Sequence, residues 1–298
     1  MVWRNVSVAL LGLGMVVVGW GASPRNDVAA EDPAAEKTYS LRYALKEGQQ
    51  LHYQVTHVAK TKTRINGTEE QSSVHTISDR HWEVVQADDE SQTFDHILDS
   101  VQMTQQAGDK EEVRWSSKTD EIPPTSFQNV ASQIGKAIST ISINARGQEL
   151  DRVEAQPSKS GRLGMGTLAI AMPEDPIAVG ASWSIPREIK TKTPDKTVKM
   201  IKIRELYTLK KVSAGVATIS VRSEPLTPIH EESVRAQVIQ QLSNGTIRFD
   251  LDAGHMISKE LTWDETVVGF QGASSMMEYR ARMTEQFVDD VVRTATRP

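Results

Sequence analysis

Cysteine does not occur among the 298 residues of the chain. Its absence excludes disulfide bridges, zinc–thiolate sites, iron–sulfur clusters, thiol nucleophiles and a lipid-anchored cysteine. An excess of basic residues is lacking as well, because 34 Lys and Arg stand against 39 Asp and Glu, for a net charge of -5. Proteins that hold phosphate backbones usually carry a basic excess. We therefore expect no nucleic-acid partner.

Catalytic motifs are missing too. The chain contains no G-x-S-x-G, S-x-x-K or H-E-x-x-H sequence and no phosphate-binding or dinucleotide-binding glycine loop. Seven histidines are present, and His75 and His81 could share one strand face, but no further ligand is predicted to converge on them. The sequence therefore predicts a protein that is not an enzyme and that has no cofactor and no metal site.

The N-terminus has the layout of a secretory signal peptide. Arg4 precedes an apolar run over residues 6–20, and small residues follow from Gly21. We predict a signal peptide over residues 1–22, a disordered polar leader over 23–38, and export to the periplasm or the extracellular space. An uncleaved membrane anchor and a buried helix are the alternatives for the apolar run.

Alternating apolar and polar residues dominate the rest of the chain, as Leu51 and Tyr53 illustrate. This period of two is typical of antiparallel strands with one buried face. Asn66-Gly67 and Asn244-Gly245 are predicted as hairpin turns, since Asn-Gly suits a type I′ turn. Asp88-Asp89-Glu90 is predicted as a solvated hairpin tip.

Three segments suggest helices. Phe127, Val130, Ile134 and Ile138 recur at helical spacing after Ser126, which could cap a helix. Residues 168–172 could form a short helix after a Gly/Ser-rich linker. Residues 233–242 fit either a helix or a strand.

The two halves of the chain resemble each other. Gly48 precedes two large apolar residues spaced by two, and so does Gly180. We predict a mainly β fold with a few helices, built from antiparallel sheet in two similar halves, with a half-barrel as one form that it could take. The predicted domain covers residues 39–290, its repeats cover about 39–157 and 173–290, and residues 291–298 form a frayed tail.

A proline–glycine–tryptophan motif lies between the predicted halves. It reads Pro-x-x-Pro-x-x-x-Gly-x-x-Trp over residues 173–183. With the signal peptide and the glycine at the start of each half, it resembles an uncharacterised family of exported proteins of planctomycete-type bacteria. The resemblance implies an envelope or secreted location and no known catalytic residues. More distantly, a long antiparallel sheet crossed by helices resembles the lipid-holding half-barrels of bacterial envelopes.

These features favour two functions over a third, an enzyme with a novel site, which would require His, Asp or Glu residues to converge in a pocket. The first is an exported, non-enzymatic envelope scaffold or interaction protein with an envelope protein as partner. The alternative is a binding module that holds a lipid or other amphiphile in a sheet-lined cleft, with the helix near Phe127 as its lid.

Between Arg187 and Lys211 lie nine Lys or Arg and three Asp or Glu. Such a band could contact an anionic ligand, or could protect a sheet edge from pairing. The candidate contact residues are Lys190, Lys192, Lys199, Lys202, Arg204, Phe127 and Ile134.

Overall fold

The computed structural model describes residues 36–155 and 168–289. The predicted signal peptide, most of the predicted leader, the whole Gly/Ser-rich linker and the predicted tail lie outside these ranges. Within them, no helix is long and apolar enough to cross a membrane. All strands and helices of the described ranges belong to one compact unit that begins at Lys37.

Antiparallel strands make up most of the described chain. In chain order they are β1 (Thr38–Tyr39), β2 (Gln50–Ile65), β3 (Thr68–Ala87), β4 (Gln92–Ala107), β5 (Val113–Ser116), β6 (Ala137–Ile143), β7 (Glu149–Glu154), β8 (Ile177–Ala178), β9 (Ser182–Lys192), β10 (Val198–Ser213), β11 (Val216–Pro225), β12 (Asn244–Asp250), β13 (His255–Val268) and β14 (Met276–Phe287). The helices are α1 (Gln128–Ala131) and α2 (Glu232–Val238), each next to a single 3₁₀ turn. The predicted fold class, mainly antiparallel β with a few helices, is confirmed.

One large sheet contains all strands except β1 and β8, which pair with each other. Its order is β7-β6-β4-β3-β2-β14-β13-β12-β11-β10-β9, and β5 adds to β4. The sheet is open, since β7 and β9 are its edges. Thr38, which the sequence assigned to a disordered leader, instead pairs with Ala178.

The last strand joins the two halves. Strand β14 lies between β2 and β13, and it pairs with β2 from Met276↔Arg64 to Phe287↔Tyr53. Each half also begins in the same way. The amide of Gly48 donates to the Val84 carbonyl (2.8 Å), and the amide of Gly180 donates to the Leu209 carbonyl (2.7 Å). The division into two repeats stays a prediction, and these bonds agree with it locally.

Apolar side chains fill the middle of the concave face. Two extended segments, residues 41–45 and 168–172, place alternate side chains in the main core, among them Tyr43 and Ile170. The Ile170 amide donates to the Tyr43 hydroxyl (3.0 Å). Trp183 on the edge strand β9 donates from Nε1 to the Ala171 carbonyl (2.8 Å). The second segment is therefore not the predicted helix, since its extended backbone packs against the sheet.

The helices are short and cover the ends of this face. The predicted helix from Phe127 to Ile138 is wrong in extent, because only residues 128–131 are α-helical. Gly135, with a φ of 72°, ends the turns that follow, and Ile138 already belongs to β6. For residues 233–242 the helical alternative is confirmed by α2 and the 3₁₀ turn Ile239–Gln241.

The two Asn-Gly pairs have different outcomes. Asn66 and Gly67 have φ values of 49° and 83° and connect β2 to β3, as predicted for a type I′ turn. Gly245 instead lies within β12 and pairs with Leu261, so this turn prediction is wrong. A β-carbon on Gly245 would lie 2.0 Å from the Glu260 carbonyl oxygen, which explains a glycine in mid-strand.

Candidate ligand-binding site

A cleft remains on the concave face between the sheet and α1. Strand alternation directs Val55, His57 and Ala59 of β2 to this face, and register places Met283 of β14 opposite His57. Val130 of α1 covers the cleft from above. The helix that the sequence predicted as a lid near Phe127 is a single turn, and Val130 is its residue in the cleft lining.

The cleft has a volume of about 190 Å³. Its lining residues are Val55, His57, Ala59, Val74, Thr76, Ser78, Arg80, Leu98, Val101, Met103, Val130 and Met283. For comparison, an apolar cavity of about 150 Å³ takes up benzene. The cleft therefore has room for a segment of apolar chain.

Arg80 is the one permanently charged residue in this lining. Its exposed fraction is 7%, and its Nε donates to the Ser78 hydroxyl (2.9 Å). Among the residues that the structure describes, no carboxylate lies within ion-pair distance of its guanidinium. Burial lowers the pKa of Arg80 to about 10, while the charge of Glu285 raises it. Arg80 is consequently still protonated at neutral pH.

Glu285 is the acid whose charge raises the pKa of Arg80, but it forms its ion pair with Lys259. Its carboxylate lies 2.7 Å from Lys259 Nζ, and both side chains are 5% exposed or less. Of the two buried cations Arg80 and Lys259, Lys259 is the one that pairs with Glu285. A buried charge without a partner is unfavourable. The charge of Arg80 therefore favours an anionic group in the cleft.

His57 adds a polar group that is neutral at physiological pH. Burial lowers its pKa below the usual value, and the nearby charge of Arg80 lowers it further. A neutral imidazole can donate one hydrogen bond and accept another. The cleft therefore combines an apolar wall, one fixed cation and one neutral hydrogen-bonding ring.

The aromatic and aliphatic candidates from the sequence lie behind this site. Phe127 is 1% exposed and packs with Trp115, Leu98 and Val101. Ile134 packs partly buried against the same cluster. Both residues hold α1 against β4. Arg80 was missed in the sequence because a single arginine in a polar-rich strand gives no motif.

The basic residues predicted to form one band are divided between the two faces of β9 and β10. Lys190, Lys202 and Arg204 project from the convex side, whereas Lys199 is directed to the other face. Lys192 is the last residue of β9, and its backbone bonds to Gln237 of α2. Arg204 pairs with Glu224 (2.7 Å), and Lys199 lies 3.6 Å from Glu231. Lys190 and Lys192 are on the edge strand, where lysines discourage pairing with another chain.

Two other depressions have different chemistry. One of about 360 Å³ lies between the β6–β7 and β9–β10 sides of the sheet. Its two charged residues, Arg187 and Glu205, pair with each other, and Glu205 also accepts a hydrogen bond from the Tyr207 hydroxyl (2.7 Å). The other, of about 750 Å³, is an open groove beside α2 that includes Lys192. In the first depression Arg187 and Glu205 pair with each other, and in the second Lys192 is exposed to solvent.

Comparisons with known proteins assign no family to the chain. No family model matches it, and no curated protein matches it. The predicted resemblance to an exported planctomycete-type family therefore stays a prediction.

Solved structures show weak similarity. A lipovitellin structure described as showing lipid–protein interactions aligns with a TM-score of 0.42 at 6% identity, over 83% of this chain and 26% of the other. The Salmonella type III secretion secretin InvG aligns with a TM-score of 0.20 at 11% identity, over 83% and 64%. MucB in complex with MucA aligns with a TM-score of 0.12 at 8% identity, over 78% and 89%. The chain thus spans about a quarter of the lipovitellin chain, and none of these similarities carries a functional argument.

Proposed function

We propose that this protein is an exported binding module that holds an amphiphile with an acidic head. The apolar chain of the ligand occupies the cleft under Val130, and its acidic group pairs with Arg80. The observation that carries the proposal is a buried guanidinium in an apolar cleft with no carboxylate at ion-pair distance among the described residues.

The energetics support an acidic head over a neutral one. A planar guanidinium matches a carboxylate or phosphate through two parallel hydrogen bonds. Truncating one partner of a buried charge pair weakens binding by about 2–5 kcal/mol, which is at least about 30-fold in affinity. The apolar lining contributes through burial of the ligand chain, at about 0.8 kcal/mol per buried methylene.

Calorimetric titration with decanoate and with decanol separates the two contributions. The two probes have chains of the same length, and only decanoate carries a charge. We expect decanoate to bind the wild-type protein at least about tenfold more tightly than decanol, because a charge-assisted hydrogen bond contributes about 1.5–3 kcal/mol.

The variant Arg80→Met keeps a chain of similar length and removes the charge. We expect it to lose the preference for decanoate while still binding decanol. Its stability without ligand should equal or exceed that of the wild type, since an uncompensated buried charge is gone. Arg204→Met, on the convex face, is the matched control and should bind like the wild type. Equal decanoate affinity in Arg80→Met and wild type would refute the proposal.

The envelope scaffold predicted first from the sequence has no specific observation in its favour. Among the described residues, the exposed large apolar side chains are dispersed over loops and several strands. No element carries more than two of them, as Leu150 and Val153 do on β7 and Val198 and Met200 on β10. Export, the absence of enzymatic activity and an envelope partner stay predictions from the sequence.

A further inference from the structure

Two histidines and an aspartate meet on the opposite, convex face of β2, β3 and β4. His52 and His81 are directly opposite each other in the β2–β3 register. Their ring centroids lie 5.1 Å apart, and the ring planes are inclined by 43°. The sequence singled out His75 and His81 on β3, but His75 is exposed and is not a member of this group.

An irregularity in β4 adds the carboxylate. The β3–β4 register shifts between Asp79↔Ser100 and Arg80↔Leu98, and Asp99 is the extra residue. Such a bulge redirects a side chain out of the normal alternation. Asp99 Oδ1 lies 2.8 Å from His81 Nδ1. One potential ligand atom from each of His52, His81 and Asp99 lies within 4.8 Å of the other two.

The three side chains are held firmly but are not sealed from solvent. His52 is 8% exposed, the His81 side chain 12% and the Asp99 side chain 27%. Neighbouring strands of one sheet fix their backbones, so the ligand positions are set by the β-ladder. Two imidazoles and a carboxylate are the donor set of catalytic zinc sites and of other divalent transition-metal sites.

We propose that His52, His81 and Asp99 bind a divalent transition-metal ion, with Zn²⁺ as the probe that defines the site. The three side chains supply three ligands, and a tetrahedral ion takes its fourth ligand from water or another small molecule. Bonds of about 2.0–2.2 Å in a tetrahedral arrangement separate the ligand atoms by about 3.3–3.5 Å. The His81–Asp99 pair therefore has to open by only about half an ångström on binding. The site is independent of the cleft, because His81 and Arg80 are adjacent in β3 and project from opposite faces.

The experiment is titration of Zn²⁺ into the untagged, chelator-treated protein, followed by calorimetry. A polyhistidine tag has to be avoided because it binds the same ion. We expect one ion per chain. Asp99→Asn retains the size of the side chain, and His81→Gln retains a polar group at the same place. Each should weaken Zn²⁺ binding by at least about tenfold, since even residues that only orient ligands contribute about 10–100-fold.

His75→Gln is the matched control, since it changes the same residue type on the same strand away from the cluster. It should bind Zn²⁺ like the wild type. Co²⁺ provides a second readout, because its visible absorption reports a four-coordinate site and should disappear in His81→Gln. No binding by the wild type at 100-fold excess of Zn²⁺, or equal loss in His75→Gln, would overturn the proposal. If His81→Gln does not fold, Asp99→Asn decides, because Asp99 is the most exposed of the three ligands.

Discussion

The buried ion pair between Lys259 and Glu285 allows a quantitative prediction. Replacing Lys259 with methionine keeps most of the side-chain volume and removes the cation. Glu285, which is 5% exposed, then has no described cation at ion-pair distance. Breaking a buried pair by removing one partner costs about 3–5 kcal/mol of stability. For a chain of this size, each kcal/mol corresponds to about 2–4 °C in Tm.

We therefore expect Lys259→Met to lower Tm by about 6–20 °C at pH 7. The double variant Lys259→Met/Glu285→Leu replaces the pair with apolar groups. It should recover to within about 1 kcal/mol of the wild type or exceed it.

Thermal unfolding and urea unfolding at pH 7 measure these differences, with circular dichroism as the signal. The slope m should be the same in all variants, so that midpoint shifts report stability. A loss below about 1 kcal/mol for Lys259→Met, or a double variant as unstable as the single one, would refute the reasoning. A small loss in Lys259→Met would mean that water reaches this part of the concave face and solvates Glu285. An unstable double variant would mean that the space does not accept two apolar side chains.

Three further outcomes are expected. Ala59→Leu fills part of the cleft and should weaken decanoate binding, whereas Val58→Leu on the opposite face should not, as titration calorimetry of both variants will show. Gly245→Ala brings a β-carbon against the Glu260 carbonyl and should lower the free energy of unfolding by about 1–3 kcal/mol in urea; an unchanged midpoint would contradict the close approach. Burial lowers the pKa of His96 well below its usual value, so that on acidification the unfolded state takes up a proton before the folded state does. The free energy of unfolding should therefore decrease as the pH is lowered through about 6.5. His96→Gln should flatten that fall, whose slope is at most about 1.4 kcal/mol per pH unit for one proton.

Local patterns predicted the strands well because antiparallel sheet leaves a short-range signature. Alternation at Leu51 and Tyr53 marks one buried face, and both side chains are 2% exposed or less. The Asn66-Gly67 turn was also predictable, since positive φ at both residues is a local requirement. The fold class follows from these repeated signals along the chain.

The errors arose where distant contacts override a local pattern. Asn244-Gly245 has turn chemistry, yet the close approach of Glu260 requires a glycine there within a strand. Residues 168–172 have apolar content suited to a helix, but their amides and carbonyls bond to distant partners such as Arg146. Spacing within a segment carries no information about such partners.

The two candidate sites depend on register, which the sequence did not specify. Arg80 is a candidate contact for an acidic ligand only because its neighbours in space, Val55 and Leu98, are apolar and contribute no carboxylate. His52 meets His81 because the β2–β3 hairpin sets that pairing, and Asp99 joins them through a one-residue bulge. A shift of one residue in either pairing would move these side chains to the other face of the sheet.

The position of β14 has a consequence for how the chain folds. Gln286 pairs with Gln54, from opposite ends of the described chain, and β13 also depends on β14 for its second neighbour. Pairings this distant in sequence form slowly, since a long loop must close before they stabilise anything. Until β14 arrives, β2 and β13 each present a bare strand edge that another molecule can extend. During that interval self-association competes with folding, and a chaperone that shields those edges would raise the yield of folded protein.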